Sequence, residues 1–224
     1  MQLYATPKLF EKFSLQKDAL LAPTPSSRWL YDAPPLAKNP LGGWHGRLIR
    51  VQRRNCVLLL HDTTRFPLVL PALVKPDYAE FNYRFADALL NTLSKCGLEP
   101  LQLYAMQEQL RPLQLVERCD QSVRGILDHL SFVIEHTLWE EKLKIADLKG
   151  YGLSAWLADL PAFREDLSPI WPHEAMQELA ASLAQGAGLA VPARQKPGKS
   201  PSLTGNGNVI SLQPFRFIKQ HAFD

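Results

Sequence analysis

Residues 56–73 read CVLLLHDTTRFPLVLPAL, two apolar runs of strand length parted by five polar residues. Residues 57–60 show no alternation of apolar and polar positions, which is the mark of a strand covered on both faces. In the second run, Pro67 and Pro71 lack backbone donors, so this run belongs at a sheet edge or ends early. Asp62, Thr63 and Thr64 carry short side chains that bond to nearby backbone, and the break reads as a hairpin connection. The same five residues also bring together an imidazole, a carboxylate, two hydroxyls and a guanidinium, the inventory of a polar pocket.

The flanking sequence supplies the other elements. Residues 44–51 and 55–60 read as strands joined by the basic turn Gln52-Arg53-Arg54, so a hairpin is expected. MQLYA reads as a further strand, and Thr6-Pro7 after it offers a hydroxyl N-cap with proline at the first helical position, where a missing N–H is harmless. Pro23, Pro25, Pro34, Pro35 and Pro40 exclude regular helix from residues 20–41, which become a long loop. From residue 81 the period changes: Phe81, Phe85, Leu89, Leu90 and Leu93 recur at helical spacing, with Gly97 placed as a stop. A second polar break, RCDQSVRG, precedes the longest periodic segment, whose stripe is Val123, Ile126, Leu127, Leu130, Val133, Ile134 and Leu138, with Asp120 or Ser122 as N-cap. Gly125 in its first turn costs about 1 kcal/mol relative to alanine, which points to close backbone packing or to room left for something to approach. This helix is expected to continue until Gly150 or Gly152, followed by a short amphipathic piece and a last helix over residues 173–185. The fold class is α+β: a small, mostly antiparallel sheet packed against several helices, followed by a flexible basic C-terminal tail.

With 224 residues and 46% hydrophobic content, the chain can bury a sizeable core. No window reaches the roughly 18 apolar residues of a membrane span and the N-terminus lacks a signal-peptide pattern, so a cytoplasmic location is expected. Cys56, Cys96 and Cys119 are far apart and odd in number, which fits core residues rather than a disulfide or zinc framework. The net charge of +3 is concentrated late in the chain: beyond residue 189, Arg194, Lys196, Lys199, Arg216 and Lys219 stand against the single acid Asp224. The stretch VPARQKPGKSPSLTGNGN has the composition of a linker, and VISLQPFRFI after it that of a short strand or docking segment. The expected organisation is one domain over residues 1–188, a linker over 189–208 and a terminal segment over 209–224, with Arg194, Lys196 and Lys199 as the contacts of the tail.

The succession of MQLYATPKL, Trp44 ahead of a strand, LLLHDTTRFPLVLP and RCDQSVRGILDHL resembles an uncharacterised bacterial family. Its pattern is an MxLxxTxKL start, an asparagine-acid-x-threonine motif before an apolar segment, and a later NRSVLGxxN motif. The similarity spans about residues 1–140. The first motif stands here as His61-Asp62-Thr63-Thr64, with histidine in the place of asparagine. The second runs from Asp120 to Asp128, with aspartate at both asparagine positions, Gln121 for arginine, and Ser122, Val123 and Gly125 matching. No activity is attached to that family, so the resemblance implies a fold and a surface rather than a reaction.

The candidate polar surface comprises Trp44, His61, Asp62, Thr63, Arg65, Asp120, Ser122, Arg124 and Asp128, and the two polar breaks are expected to meet because each ends an apolar element of one core. His129 and His136 stand seven apart, wider than the spacing of three or four that paired helical metal ligands use. No G-x-S-x-G, H-E-x-x-H or phosphate-cradling glycine loop occurs, and no metal or cofactor is expected. The expectation is a non-catalytic binding or regulatory protein of a bacterial accessory gene set, toxin–antitoxin or phage related, with a protein partner, no membrane contact, and a nucleic-acid contact open to the tail. The alternative is an enzyme acting on nucleic acid or a phosphorylated small molecule, with Asp62, Asp120 and Asp128 as acid/base or metal-binding carboxylates and Arg65 or Arg124 as anion clamp.

Overall fold

A computed structural model describes residues 1–117, 120–164, 166 and 168–188. Strands β1 (Gln2–Ala5), β2 (Gly43–Val51), β3 (Arg54–His61), β4 (Pro67–Leu73) and β5 (Gln114–Glu117) form a five-stranded sheet in the order β4-β3-β2-β1-β5. The chain β2-β3-β4 is antiparallel throughout, whereas β1 lies parallel to both β2 and β5. The sheet is therefore mixed. Helices α1 (Pro7–Phe10), α2 (Trp29–Asp32), α3 (Lys75–Ala79), α4 (Phe81–Lys95), α5 (Pro100–Gln107), α6 (Gln121–Glu140), α7 (Gly150–Ala158) and α8 (Pro172–Gly186) surround it, with a 3-10 turn at Ile145–Asp147. The two-residue strands β6 (Ala162–Phe163) and β7 (Pro169–Ile170) make a small second sheet.

The pleat of β3 explains its unbroken apolar run. Val57 and Leu59 point into one core with Trp44, Phe81, Phe85 and Leu89, and Leu58 and Leu60 point into a second core with Val123, Leu127, Ile134 and Trp156. Helices thus cover both faces, α4 and α8 on one and α6 and α7 on the other. The prolines of β4 do lie at a sheet edge. That edge is closed by α7: the Val69 N–H donates to Ser154 Oγ at 2.8 Å, and Ser154 Oγ–H donates to the Gly150 carbonyl at 2.7 Å. Gly150 is needed there because a Cβ would sit 2.0 Å from the Val69 carbonyl oxygen.

The β2–β3 turn places Gln52 (φ 47°) and Arg53 (φ 65°) in the left-handed region usually filled by Asn-Gly. Gln52 has a compensating role. Its side chain donates to the Leu143 carbonyl at 2.8 Å and accepts from the Ile145 N–H at 2.9 Å, tying the hairpin to the chain after α6.

Two sequence expectations are corrected here. Residues 20–41, expected as loop without helix, contain one helical turn, α2, in the proline-free stretch between Pro25 and Pro34. The long helix stops at Glu140 rather than running on to Gly150 or Gly152, and Gly150 instead opens α7. The stop is a Schellman turn with Lys142 at φ 54° in the place glycine commonly takes, closed by Leu143 N–H to the Leu138 carbonyl (3.0 Å) and Lys142 N–H to the Trp139 carbonyl (3.3 Å). Among the described residues no helix is long and apolar enough to cross a membrane. The linker and the terminal segment expected beyond residue 188, with Arg194, Lys196 and Lys199, lie outside the described residues.

Candidate functional site

The alternation of β2 sets the geometry of the polar cluster. Trp44 and Gly46 face the first core, His45 and Arg47 the second, and on that second side Ile49 and Val51 follow as buried apolar residues. Two polar positions ahead of two apolar ones mark where this face of the strand leaves the core. His45 and Arg47 went unnoticed in the sequence because Gly-Trp-His-Gly-Arg masks the alternation.

The β3–β4 connection lies beside them. Its turn is closed by Arg65 N–H to the His61 carbonyl (2.9 Å) and His61 N–H to the Phe66 carbonyl (2.9 Å), while Asp62 N–H donates to the Gly43 carbonyl (2.9 Å). His61 Nδ1 meets Thr64 Oγ1 at 2.8 Å, and its ring also bonds the Pro40 backbone. Burial is the main reason its pKa falls from 6.5 to about 4, against the opposing pull of Asp62 and the Pro40 bond. The ring is neutral at neutral pH. His61 and Trp44 are both core residues: the indole N–H donates to the Leu41 carbonyl at 3.1 Å and its ring meets Phe85 edge-on at 5.1 Å. They support the site from beneath and are not part of a surface.

Asp62, half-exposed, is the hub. Its Oδ1 lies 3.3 Å from His45 Nε2 and 3.3 Å from Arg65 Nη1. Burial lowers the pKa of His45, with Asp62 pulling it upward, and His45 Nδ1 has no hydrogen-bond partner among the described residues. Arg65 is 6% exposed and holds a left-handed backbone, φ 57°. Thr63 is exposed at the tip of the turn.

The second break approaches the same end of the sheet. α6 begins at Gln121, which puts Asp120 at its N-cap position, and Arg124 N–H donates to the Asp120 carbonyl at 3.0 Å. Asp120 lies close enough to raise the pKa of His45. Two turns further, Asp128 pairs with Arg47 and fastens α6 to β2. His45 thus pairs with Asp62 of the first break and feels the charge of Asp120 in the second, while Arg47 holds Asp128 beyond it. Arg124 is exposed, and the Ser122 side chain lies outside the described residues.

Beside this cluster α6 stands away from the segment that follows α7. The stripe of α6 divides there: Val123, Leu127, Leu130, Ile134 and Leu138 are buried, whereas Ile126 and Val133 are half-buried and line open space. A groove of about 450 Å³ runs between His129, Phe132, Val133 and His136 on one bank and Trp156, Leu160, Pro161 and Phe163 on the other. The two histidines share a bank as their spacing requires, and His136 Nδ1 lies 3.4 Å from Glu140 Oε2. Among the described residues no three His, Cys, Asp or Glu side chains are grouped to hold a metal ion. Cys56 and Cys96 are buried thiols whose pKa burial raises, that of Cys96 to about 12; Cys119 lies outside the described residues.

No curated protein and no solved structure matches the chain. A family model does, over residues 2–175, from the first strand to the start of α8, well past the span over which the motifs carry a resemblance. The chain therefore belongs to the family described as Domain of unknown function (DUF6933).

Proposed function

We propose that this chain is a non-catalytic binding protein of the bacterial cytoplasm, part of an accessory gene set of toxin–antitoxin or phage-related kind, and that it holds a protein partner along the outer face of α6. One observation carries the reading: large apolar side chains stand uncovered on that face and across the groove from it, with Phe132 65% and Trp139 78% exposed on α6 and Phe163 55% exposed on β6. Phe132 and Trp139 are seven residues apart on α6, hence two turns along one stripe, and Phe132 and Phe163 stand on opposite banks of the groove. Solvated aromatic groups in such a cluster are the anchors that protein interfaces bury. The carboxylates that an enzyme would need are engaged elsewhere, Asp62 with His45 and Arg65, and Asp128 with Arg47, where they join a turn, a strand and a helix.

Affinity capture from the native host with the full chain tests this. Phe132→Glu with Phe163→Glu is expected to lose the captured protein while the melting temperature holds, since both side chains are already in water. Retention of the partner by this variant refutes the α6 face. Loss of capture in a variant with Arg194, Lys196 and Lys199 changed to glutamine, with binding that weakens as salt rises, assigns the contact to the tail and an acidic partner or nucleic acid instead.

A further inference from the structure

Nearer the polar cluster, and adjoining the groove where His129 lines both, is a separate cavity of about 290 Å³. Its wall is largely apolar, with Ile126 and Leu130 from α6, Leu157 from α7, and Leu160 and Pro161 beyond it. Arg65, from the β3–β4 turn, also lines it, although its side chain is almost fully buried. Among the described residues the Arg65 guanidinium has one hydrogen-bond partner, Asp62, reached by Nη1 alone at 3.3 Å. Most of its five donors are left for another acceptor. The backbone that holds it there is in the left-handed conformation, uncommon for a residue other than glycine. Across the cavity, the α6 wall is bare at Gly125, where a Cβ would meet nothing within 4 Å.

We propose that this cavity binds a small apolar carboxylate, with the carboxylate on the Arg65 guanidinium and the hydrocarbon body between α6 and α7. Donors of Arg65 without a protein partner are reached by water rather than sealed in the core, and an anion that accepts two of them in plane beside a largely apolar wall is held more tightly than the water it displaces. The remaining wall offers little but apolar contact, so the rest of the ligand must be hydrocarbon. Asp62 sets the charge of the head group: its carboxylate shares the guanidinium, and a dianionic phosphate would meet more repulsion there than a monoanion. The volume is just below the roughly 300–1,000 Å³ common for ligand pockets, which favours a short ligand over a nucleotide or a long lipid. This site shares His129, Leu160, Pro161 and Phe163 with the groove, but its Arg65 and Gly125 lie outside the groove, and it needs no protein partner to be filled.

Titration calorimetry and thermal melting of the purified full chain with octanoate, octanol and octylamine test the proposal. Octanoate is expected to bind saturably at one site per chain and to raise the melting temperature. Octanol, with the same body and no charge, should bind at least about tenfold more weakly, and octylamine not at all. Arg65→Met should abolish the preference for octanoate over octanol. Because that change also touches the turn, Gly125→Leu provides the second arm: it leaves Arg65 in place, projects into the cavity, and should eliminate octanoate binding in a folded protein. Equal binding of octanol and octanoate, unchanged binding in Gly125→Leu, or no saturable octanoate binding at millimolar concentration overturns the proposal.

Discussion

His61 is the residue whose burial has the plainest measurable consequence. The folded protein keeps its ring neutral down to about pH 4, while an unfolded chain protonates it near 6.5. Between these values only the unfolded state gains the proton, so stability is complete above about 6.5 and falls as pH drops through the window, by about 3 kcal/mol in all. The lowered pKa of His45 acts in the same direction. His173 acts oppositely: its bond to Asp159 raises its pKa, so its contribution is present below 6.5 and is lost as pH rises through the raised value. His61→Asn introduces the residue that the resembling motif carries at this position, with an amide oxygen able to accept from Thr64. Melting temperatures followed from pH 7 to 4.5 should fall less steeply in this variant than in the parent, and an identical slope would show that the acid limb belongs to other groups. At this scale the sequence was informative about which residues are polar and uninformative about which are buried. Asp62 and Arg65 are three positions apart in one turn, yet one faces water and the other is enclosed, because the left-handed backbone at Arg65 turns its side chain inward.

Helices and strands were legible where hydrophobic period alone decides. The buried stripe of α6, the β2–β3 hairpin and the edge position of β4 all follow from the spacing of apolar residues and prolines. Illegible were the points where one residue type serves an unusual backbone: Lys142 ends a helix where glycine is common, and Gly150 starts one where a stop was expected. Two of the helical glycines, Gly150 and Gly125, give opposing predictions. Gly150→Ala drives a methyl group into the Val69 carbonyl and should destabilise the protein by about 3 kcal/mol or more, because β4 and α7 cannot both stay in place. Gly125→Ala meets open space and should stabilise α6 by about 1 kcal/mol. Urea denaturation of both variants checks the signs, and a stabilising Gly150→Ala would mean that α7 does not pack on the β4 edge as described.

For the whole molecule, the covered faces of the sheet were foreseeable from the unbroken apolar run of β3, since such a strand demands helices on both sides. The insertion of β1 between β2 and β5 was not, because parallel pairing joins segments far apart in the chain and leaves no turn signature between them. Among the described residues, the two cores together draw on elements from β1 to α8. A chain ending at Gly188 keeps all of these residues, and it is expected to melt cooperatively within about 2 °C of the full-length protein. A large drop in a scanning calorimetry trace would show that residues 189–224 contribute to the core.

The place of β1 also fixes an order of events during synthesis. The strand leaves the ribosome before the other strands of its sheet, but its partner on one side, β5, ends at Glu117, more than a hundred residues later. At about 5–20 residues per second the exposed edge of β1 waits from roughly 5 to 20 s for that partner. Through that interval the nascent chain presents an unpaired strand edge bearing Leu3 and Ala5, so the yield of folded protein should depend on translation speed and on the chaperones that meet the chain before β5 emerges.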